Sequence, residues 1–209
     1  MKQPIPKVAV PRLTVYLQVL DDLPAGVGRI SSEDLATRAG VNSAKVRKDL
    51  SYLGSYGVRG VGYDTEHLRF QIRRELGLTR EWPLVIVGVG NLGRALANYA
   101  GFREQGFQVV GIFDADPNKV GIRVGEHRVE PLEQLPGAVA ERGARIGVIT
   151  TPAEGAQAVA EMLAASGVAS ILNFAPTVVR VPGHVQVRRV DVSTELQVLA
   201  FHLHQGEAG

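Results

Sequence analysis

The segment Gly88-Val89-Gly90-Asn91-Leu92-Gly93 restricts the possible folds of this chain more than any other. It follows a continuous apolar run, Leu84-Val85-Ile86-Val87, which reads as a strand buried on both faces, as in parallel sheets. A helix-forming stretch comes after it. Glycines at this spacing between strand and helix meet three separate needs. Gly88 allows a tight turn, Gly90 a close approach to the backbone, and Gly93 close packing of helix on sheet. The helix start offers unpaired N–H groups and the positive end of the helix dipole, a setting for phosphate.

From Leu84 onward the hydrophobic pattern alternates between strand and helix. Strands are expected at 84–88, 107–113, 145–150, 168–174 and 184–190, with a short one near 128–129. Helices are expected at 91–101, 131–142 and 153–166. This alternation predicts an α/β fold, a doubly wound Rossmann domain. Asp114 ends the second strand, 24 residues after Gly90. A carboxylate there can accept hydrogen bonds from ribose hydroxyls and repels a 2′-phosphate, which favours NAD(H) over its phosphorylated form. Asp116 can share that role. Thr150, Thr151 and Pro152, and Asn173 and Phe174, lie at strand ends that should line the cofactor crevice. Thr151 and Asn173 can bond the nicotinamide half with Phe174 packed nearby, or all of these can be ordinary turn chemistry.

Residues 1–80 differ in character. They hold 13 Lys/Arg against 8 Asp/Glu, a charge of +5, while the remainder carries −3. Leu13, Tyr16, Leu17 and Leu20 mark one face of a first helix, with Pro11 in its first turn. Ser31 to Asp34 reads as a capping box starting a short second helix that stops at Gly40. A third helix starts at Asn42 or Ser43 and buries Val46, Leu50 and Leu53. Helix, glycine turn and helix form a helix-turn-helix candidate. Ser43, Lys45, Arg47, Lys48 and Ser51 are left outward, suited to base edges and phosphates of double-stranded DNA. Four glycines in 54–63 exclude a good helix and suggest a hairpin wing, with Tyr56, Arg59 and Gly60 able to reach DNA. A fourth helix runs from about Thr65 to Gly77, and 78–83 is the expected linker.

The expected domains are 1–78, a winged-helix DNA-binding head; 79–190, the dinucleotide-binding body; and 191–209, a C-terminal helix and tail. That last helix carries the stripe Val192, Leu196, Leu199 and Leu203, which can pack on its own domain or on a partner. The chain contains no cysteine, so disulfides and thiolate chemistry are excluded. No run has the length of a membrane span, and the start lacks a signal-peptide core, so a cytoplasmic protein with no membrane partner is expected.

A dehydrogenase needs a proton donor or acceptor beside the hydride. The loops at Thr150–Pro152 and Asn173–Pro176 contain neither His nor Lys, and His202 and His204 are poorly spaced for a metal. The expectation is cofactor binding without turnover, with no catalytic or metal-binding residue. Two alternatives stay open: an NAD-dependent dehydrogenase with an N-terminal dimerisation head, and a CoA-binding module.

Five strings carry a family resemblance: Val46-Arg47-Lys48-Asp49-Leu50-Ser51-Tyr52, Gly54-Ser55-Tyr56-Gly57, Gly60-Val61-Gly62-Tyr63, the glycine loop, and Leu172-Asn173-Phe174-Ala175-Pro176. With these the chain resembles the Rex family of redox-sensing transcriptional repressors along nearly its whole length. The resemblance implies a homodimer with winged-helix heads on a palindromic operator, an NAD(H)-binding body and a domain-swapped C-terminal helix. It also implies release from DNA on NADH binding. Arg12, Tyr99 and Asp191 match family residues implicated in sensing, and are expected to cluster near the nicotinamide as a redox switch.

Overall fold

The structure is a computed structural model that describes residues 4–54 and 62–207. The chain divides into two units, Met1–Arg80 and Glu81–Gly209.

In the first unit α1 (Val10–Asp21) carries Pro11 in its first turn and buries Leu13, Tyr16, Leu17 and Leu20. A short strand, β1 (Arg29–Ile30), leads to α2 (Ser32–Ala39). The Ser31 hydroxyl accepts the Asp34 N–H at 3.0 Å, and α2 stops at Gly40. α3 (Ser43–Ser51) is capped by Asn42, whose side-chain oxygen accepts the Lys45 N–H at 2.8 Å. Tyr63–Asp64 forms β2, followed by α4 (Thr65–Glu75). β2 pairs antiparallel with β1, Ile30 facing Tyr63. Two-residue strands have no readable periodicity, and the sequence reading does not contain this pair. Leu35, Val46, Leu50, Leu53, Leu68 and Ile72 complete one core with the buried face of α1. The expected wing at 54–63, with Tyr56, Arg59 and Gly60, falls largely outside the described residues.

The second unit starts with β3 (Trp82–Val87), already paired at Trp82 and Pro83, so the expected linker at 78–83 is shorter than the composition suggested. Then come α5 (Asn91–Ala97), α6 (Ala100–Glu104), β4 (Phe107–Asp114), β5 (Arg123–Val124) and β6 (His127–Pro131). A 3-10 turn (Leu132–Gln134) leads into α7 (Leu135–Arg142), followed by β7 (Ile146–Ile149) and α8 (Ala153–Ala165). β8 (Ser170–Asn173), β9 (Gln186–Arg189) and α9 (Val192–Glu207) end the unit. The sheet order is β5-β6-β4-β3-β7-β8-β9. All neighbours run parallel except β5 and β6. Order reverses between β3 and β7, the point at which doubly wound sheets open a crevice at their carboxyl ends.

One sheet face packs α7 and α8 through Val85, Val87, Phe113, Val139, Val159 and Leu163. The other face, Leu84, Ile86, Ile112 and Val148, receives Leu96, Ala97 and Phe102 of the short α5 and α6. Each large aliphatic side chain removed from water there contributes about 1.5–3 kcal/mol.

Two expected helices are corrected. The helix expected at 91–101 breaks after Ala97: the Asn98 side chain donates back to the Arg94 carbonyl at 2.9 Å, and Tyr99 adopts an extended conformation. The helix expected at 131–142 becomes α-helical only from Leu135, next to Pro136 in its first turn.

Candidate functional site

The crevice is built by local chemistry at the carboxyl ends of β3, β4 and β7. Gly88 has φ of +100°, and a Cβ there would lie 2.8 Å from the Thr150 carbonyl carbon and the Thr151 nitrogen. Only glycine lets the chain cross β7 this closely. A Cβ on Gly93 would collide with the Gly88 carbonyl oxygen, so α5 could not seat on the turn. The Thr150 hydroxyl contacts the Gly88 carbonyl at 2.6 Å and the Val87 carbonyl at 3.1 Å, locking the turn from β7. Around Gly90 nothing lies within 4 Å of a Cβ position. The loop is thus closed on its protein side at Gly88 and Gly93 and open at Gly90. Asn91 and Leu92 begin α5 beside that opening, and Leu92 is exposed.

Asp114 is buried, and its carboxylate is already engaged. Oδ2 accepts the Val89 N–H at 2.6 Å and the Lys119 ammonium at 3.0 Å, and Oδ1 accepts the Asp116 N–H at 2.9 Å. Burial pushes its pKa up, but these three donors outweigh burial and hold it below the ordinary carboxylate value. The sequence singled out Asp114 as a candidate ribose acceptor and gave no sign of the brace or of Lys119, whose place depends on the turn after β4. Asp116 in turn accepts from the Asn118 N–H at 2.9 Å.

Thr151 differs from Thr150. Its hydroxyl oxygen is buried without a hydrogen-bond partner among the described residues. Such a group costs about 1–3 kcal/mol unless something pairs with it. Pro152 turns the chain into α8 just beyond it. Asn173 is fully buried, and its amide serves its own loop: Nδ2 donates to the Thr177 carbonyl at 2.8 Å, and Oδ1 accepts the Ala175 N–H at 2.9 Å. Phe174 is half-buried and donates its N–H to the Ile149 carbonyl at 2.9 Å, fixing this loop to β7. An unpaired hydroxyl, a glycine-lined cradle and open space at Gly90 fit a dinucleotide laid across the switch point.

Tyr99 is exposed at the α5–α6 break, its ring edge-on to Phe102 at 5.3 Å. Asp191 precedes α9 and pairs with Arg189 at 2.5 Å. The Ser193 hydroxyl bonds its other oxygen at 2.5 Å and does most to hold its pKa low.

The head presents the second candidate surface. Lys45, Arg47, Lys48 and Ser51 are exposed on α3, while Ser43 is half-buried. Arg47 is tethered: one guanidinium nitrogen lies 3.1 Å from both the Ser32 hydroxyl and the Glu33 carboxylate at the start of α2. The Ser51 hydroxyl donates to the Lys48 carbonyl at 2.7 Å. Arg12, expected beside the nicotinamide, makes its recorded bonds inside the head. Its Nε donates to Asp49 Oδ2 at 2.6 Å and Nη2 to Oδ1 at 2.7 Å. Tyr16 donates to the same carboxylate at 2.9 Å, and burial pushes its phenol up to about 12. Sequence reasoning left Asp49 without a role. The signal was there: a carboxylate three residues after Val46 sits on the apolar side of α3, where an unpaired charge is not tolerated.

Residues 79–177 match a family model described as "CoA binding domain", and residues 4–51 one described as "Putative DNA-binding protein N-terminus". The redox-sensing transcriptional repressor Rex of Streptomyces griseus is 57% identical over 98% of this chain and 81% of its own length. Its namesake in Thermotoga petrophila is 46% identical over 97% of this chain and 98% of its own length. Among solved structures, RSP in complex with β-NAD+ and operator DNA superimposes with a TM-score of 0.91 at 33% identity, covering 99% of this chain and 96% of that one. RSP in complex with β-NADH gives 0.90 at 32% identity, with 99% and 98% coverage.

Proposed function

The chain belongs to the Rex family of redox-sensing transcriptional repressors, and from that premise we propose how its residues divide the work. It is a DNA-binding repressor that senses the NADH/NAD redox state, with NADH binding releasing it from operator DNA. The observation that carries this is the conjunction, in one chain, of a cationic α3 on a helix-turn-helix head and a glycine cradle beside an unpaired buried hydroxyl.

Gly88, Val89, Gly90, Asn91, Leu92 and Gly93 hold the pyrophosphate of NAD(H), with Gly90 providing the approach. Thr151 bonds the nicotinamide side. Asp114 braces the loop and faces the adenosine ribose, while Thr150, Pro152, Asn173 and Phe174 shape the crevice wall. The bound cofactor supplies a ring that is positively charged when oxidised and neutral when reduced. We assign the readout of that charge to Tyr99 and Asp191; Arg12 is engaged by Asp49. Lys45, Arg47, Lys48 and Ser51 face the duplex, with Ser43 at the helix start and Tyr56, Arg59 and Gly60 in the wing. The domains we assign are 1–78, 79–190 and 191–209.

The protein acts as a homodimer on a palindromic site, in the cytoplasm and without turnover. Two features support the dimer. α9 exposes Leu196 (61%), Leu199 (57%) and Leu203 (70%) along one stripe. An apolar groove of about 290 Å³, lined by Leu84, Phe102, Phe107, Ile146, Val148 and Leu172, opens on the sheet face that α5 and α6 only partly cover. The α9 of a second copy seats there. No helix among the described residues is long and apolar enough to cross a membrane.

The test is a titration. A palindromic duplex selected by the chain from random pools is bound, then NADH, NAD+ and NADPH are added in parallel. NADH lowers the bound fraction; no change with excess NADH overturns the reading. Because the body matches a model described by CoA binding, CoA is included as a competitor. Displacement of NADH by CoA would favour a CoA-binding module.

A further inference from the structure

One charged cluster in the head is left over once the DNA-facing side of α3 is accounted for. Asp49 is only 2% exposed and shares the inner side of α3 with Val46 and Leu50. Its position is costly, because a carboxylate near a helix C-terminus opposes the helix dipole and burial adds desolvation. Among the described residues, the side chains that hold it come from α1. Arg12 supplies two nearly parallel bonds at 2.6 and 2.7 Å, and Tyr16, one turn further along, supplies a third at 2.9 Å. The remaining Arg12 nitrogen donates to the Val8 carbonyl at 2.8 Å, so the guanidinium is itself anchored.

Apolar contacts between two helices tolerate sliding and rolling. A planar guanidinium fork on a carboxylate fixes direction as well as distance. We propose that Arg12 is a positioning residue for DNA binding: its two-bond pair with Asp49, closed by Tyr16, sets the rotation of α3 about its own axis and so the direction in which Lys45, Arg47 and Lys48 meet the duplex. The proposal rests on the reading of α3 as the recognition helix. It moves Arg12 out of the redox switch and gives it a role in specific contact.

The test uses the full chain, with a palindromic duplex selected by the wild type and an unrelated duplex of equal length. Arg12→Gln and Asp49→Asn are each expected to lower affinity for the selected duplex about tenfold or more. Affinity for the unrelated duplex is retained, because the cations of α3 are still present. The fold release by saturating NADH is also retained. Arg12→Lys keeps the charge but not the fork and is expected to fall between. The double variant Arg12→Gln/Asp49→Asn is expected to be no worse than the poorer single one, since both remove the same pair. Arg12→Gln leaves a buried charge unpaired, so melting temperatures are measured alongside; if it fails to fold, Arg12→Lys and Asp49→Asn decide. Equal loss on both duplexes, or unchanged affinity for the selected one in folded variants, overturns the proposal. So does loss of the NADH response with intact DNA affinity, which returns Arg12 to the redox switch. A wild type that selects no duplex or ignores NADH overturns the functional reading itself and is read from the control alone.

Discussion

The backbone N–H of Val89 donates to Oδ2 of Asp114 at 2.6 Å, so the glycine loop after β3 hangs on the carboxylate that ends β4. The carboxyl ends of β3 and β4 are thereby held together by one side chain. The backbone N–H groups of Asp116 and Val89, and after them the Lys119 ammonium on the same oxygen as Val89, keep that carboxylate charged against its burial.

Asp114→Asn presents an amide to three donors, of which it can accept fewer. NADH affinity is expected to fall about tenfold to a hundredfold, the worth of one or two hydrogen bonds to a charged group. Fluorescence titration of NADH checks this, and unchanged affinity overturns the brace.

The same residue sets an acid limit. Its folded pKa lies below the ordinary value, so the unfolded chain binds a proton more readily. Its contribution to stability is complete above the ordinary value of about 3.9 and is lost as pH falls through the lower folded value. Melting temperature is expected to respond to Asp114→Asn at neutral pH and to lose that sensitivity in strong acid.

Gly90→Ala and Gly93→Ala separate binding from folding. A Cβ on Gly90 meets no protein atom, so that variant is expected to melt like the wild type while losing NADH. A Cβ on Gly93 strikes the Gly88 carbonyl, and the variant is expected to lose about 1–3 kcal/mol of stability along with binding. Thermal melts with parallel NADH titrations distinguish them. A Gly90→Ala protein that still binds NADH normally refutes the assigned approach of the pyrophosphate.

On α3, Lys48 is exposed and unencumbered by α2, whereas Arg47 is tied to Glu33. Lys48→Ala is expected to weaken binding to every duplex and to lower the salt dependence of log affinity by about 0.9. Glu33→Gln removes the tether and is expected to raise affinity for unrelated duplex. Binding isotherms from low to moderate salt check both, and an unchanged slope for Lys48→Ala removes it from the phosphate contacts.

Leu196→Glu places a charge in the middle of the exposed stripe of α9. Light scattering after size exclusion is expected to show a monomer, with weakened binding to a palindromic duplex and NADH binding largely retained. A dimer that persists in this variant and in Leu199→Glu excludes α9 from the interface.

Periodicity and glycine spacing carried much of this architecture in the sequence. The apolar run before Gly88, the stripe Leu13-Tyr16-Leu17-Leu20 and the caps at Ser31 and Asn42 are local signals, because each depends on residues within one or two helical turns. The parallel sheet followed from continuous apolar strands, which need cover on both faces. Less visible were the break between α5 and α6, the antiparallel β5 and the β1–β2 pair, since each is too short to have a period.

What the linear sequence determined, then, is which residue types stand at the cradle and on the outward side of α3. Tertiary structure alone decided which of them are free to act. It spent the Asn173 amide on its own loop and the Thr150 hydroxyl on the Gly88 turn, and left the Thr151 hydroxyl without a partner among the described residues. It also joined Arg12 to Asp49, 37 residues away in sequence. The physical reason is that hydrogen bonds and ion pairs require atoms to meet at about 3 Å in a fixed direction. Composition and spacing set the candidates for such a meeting, but only packing of one element on another selects the partners.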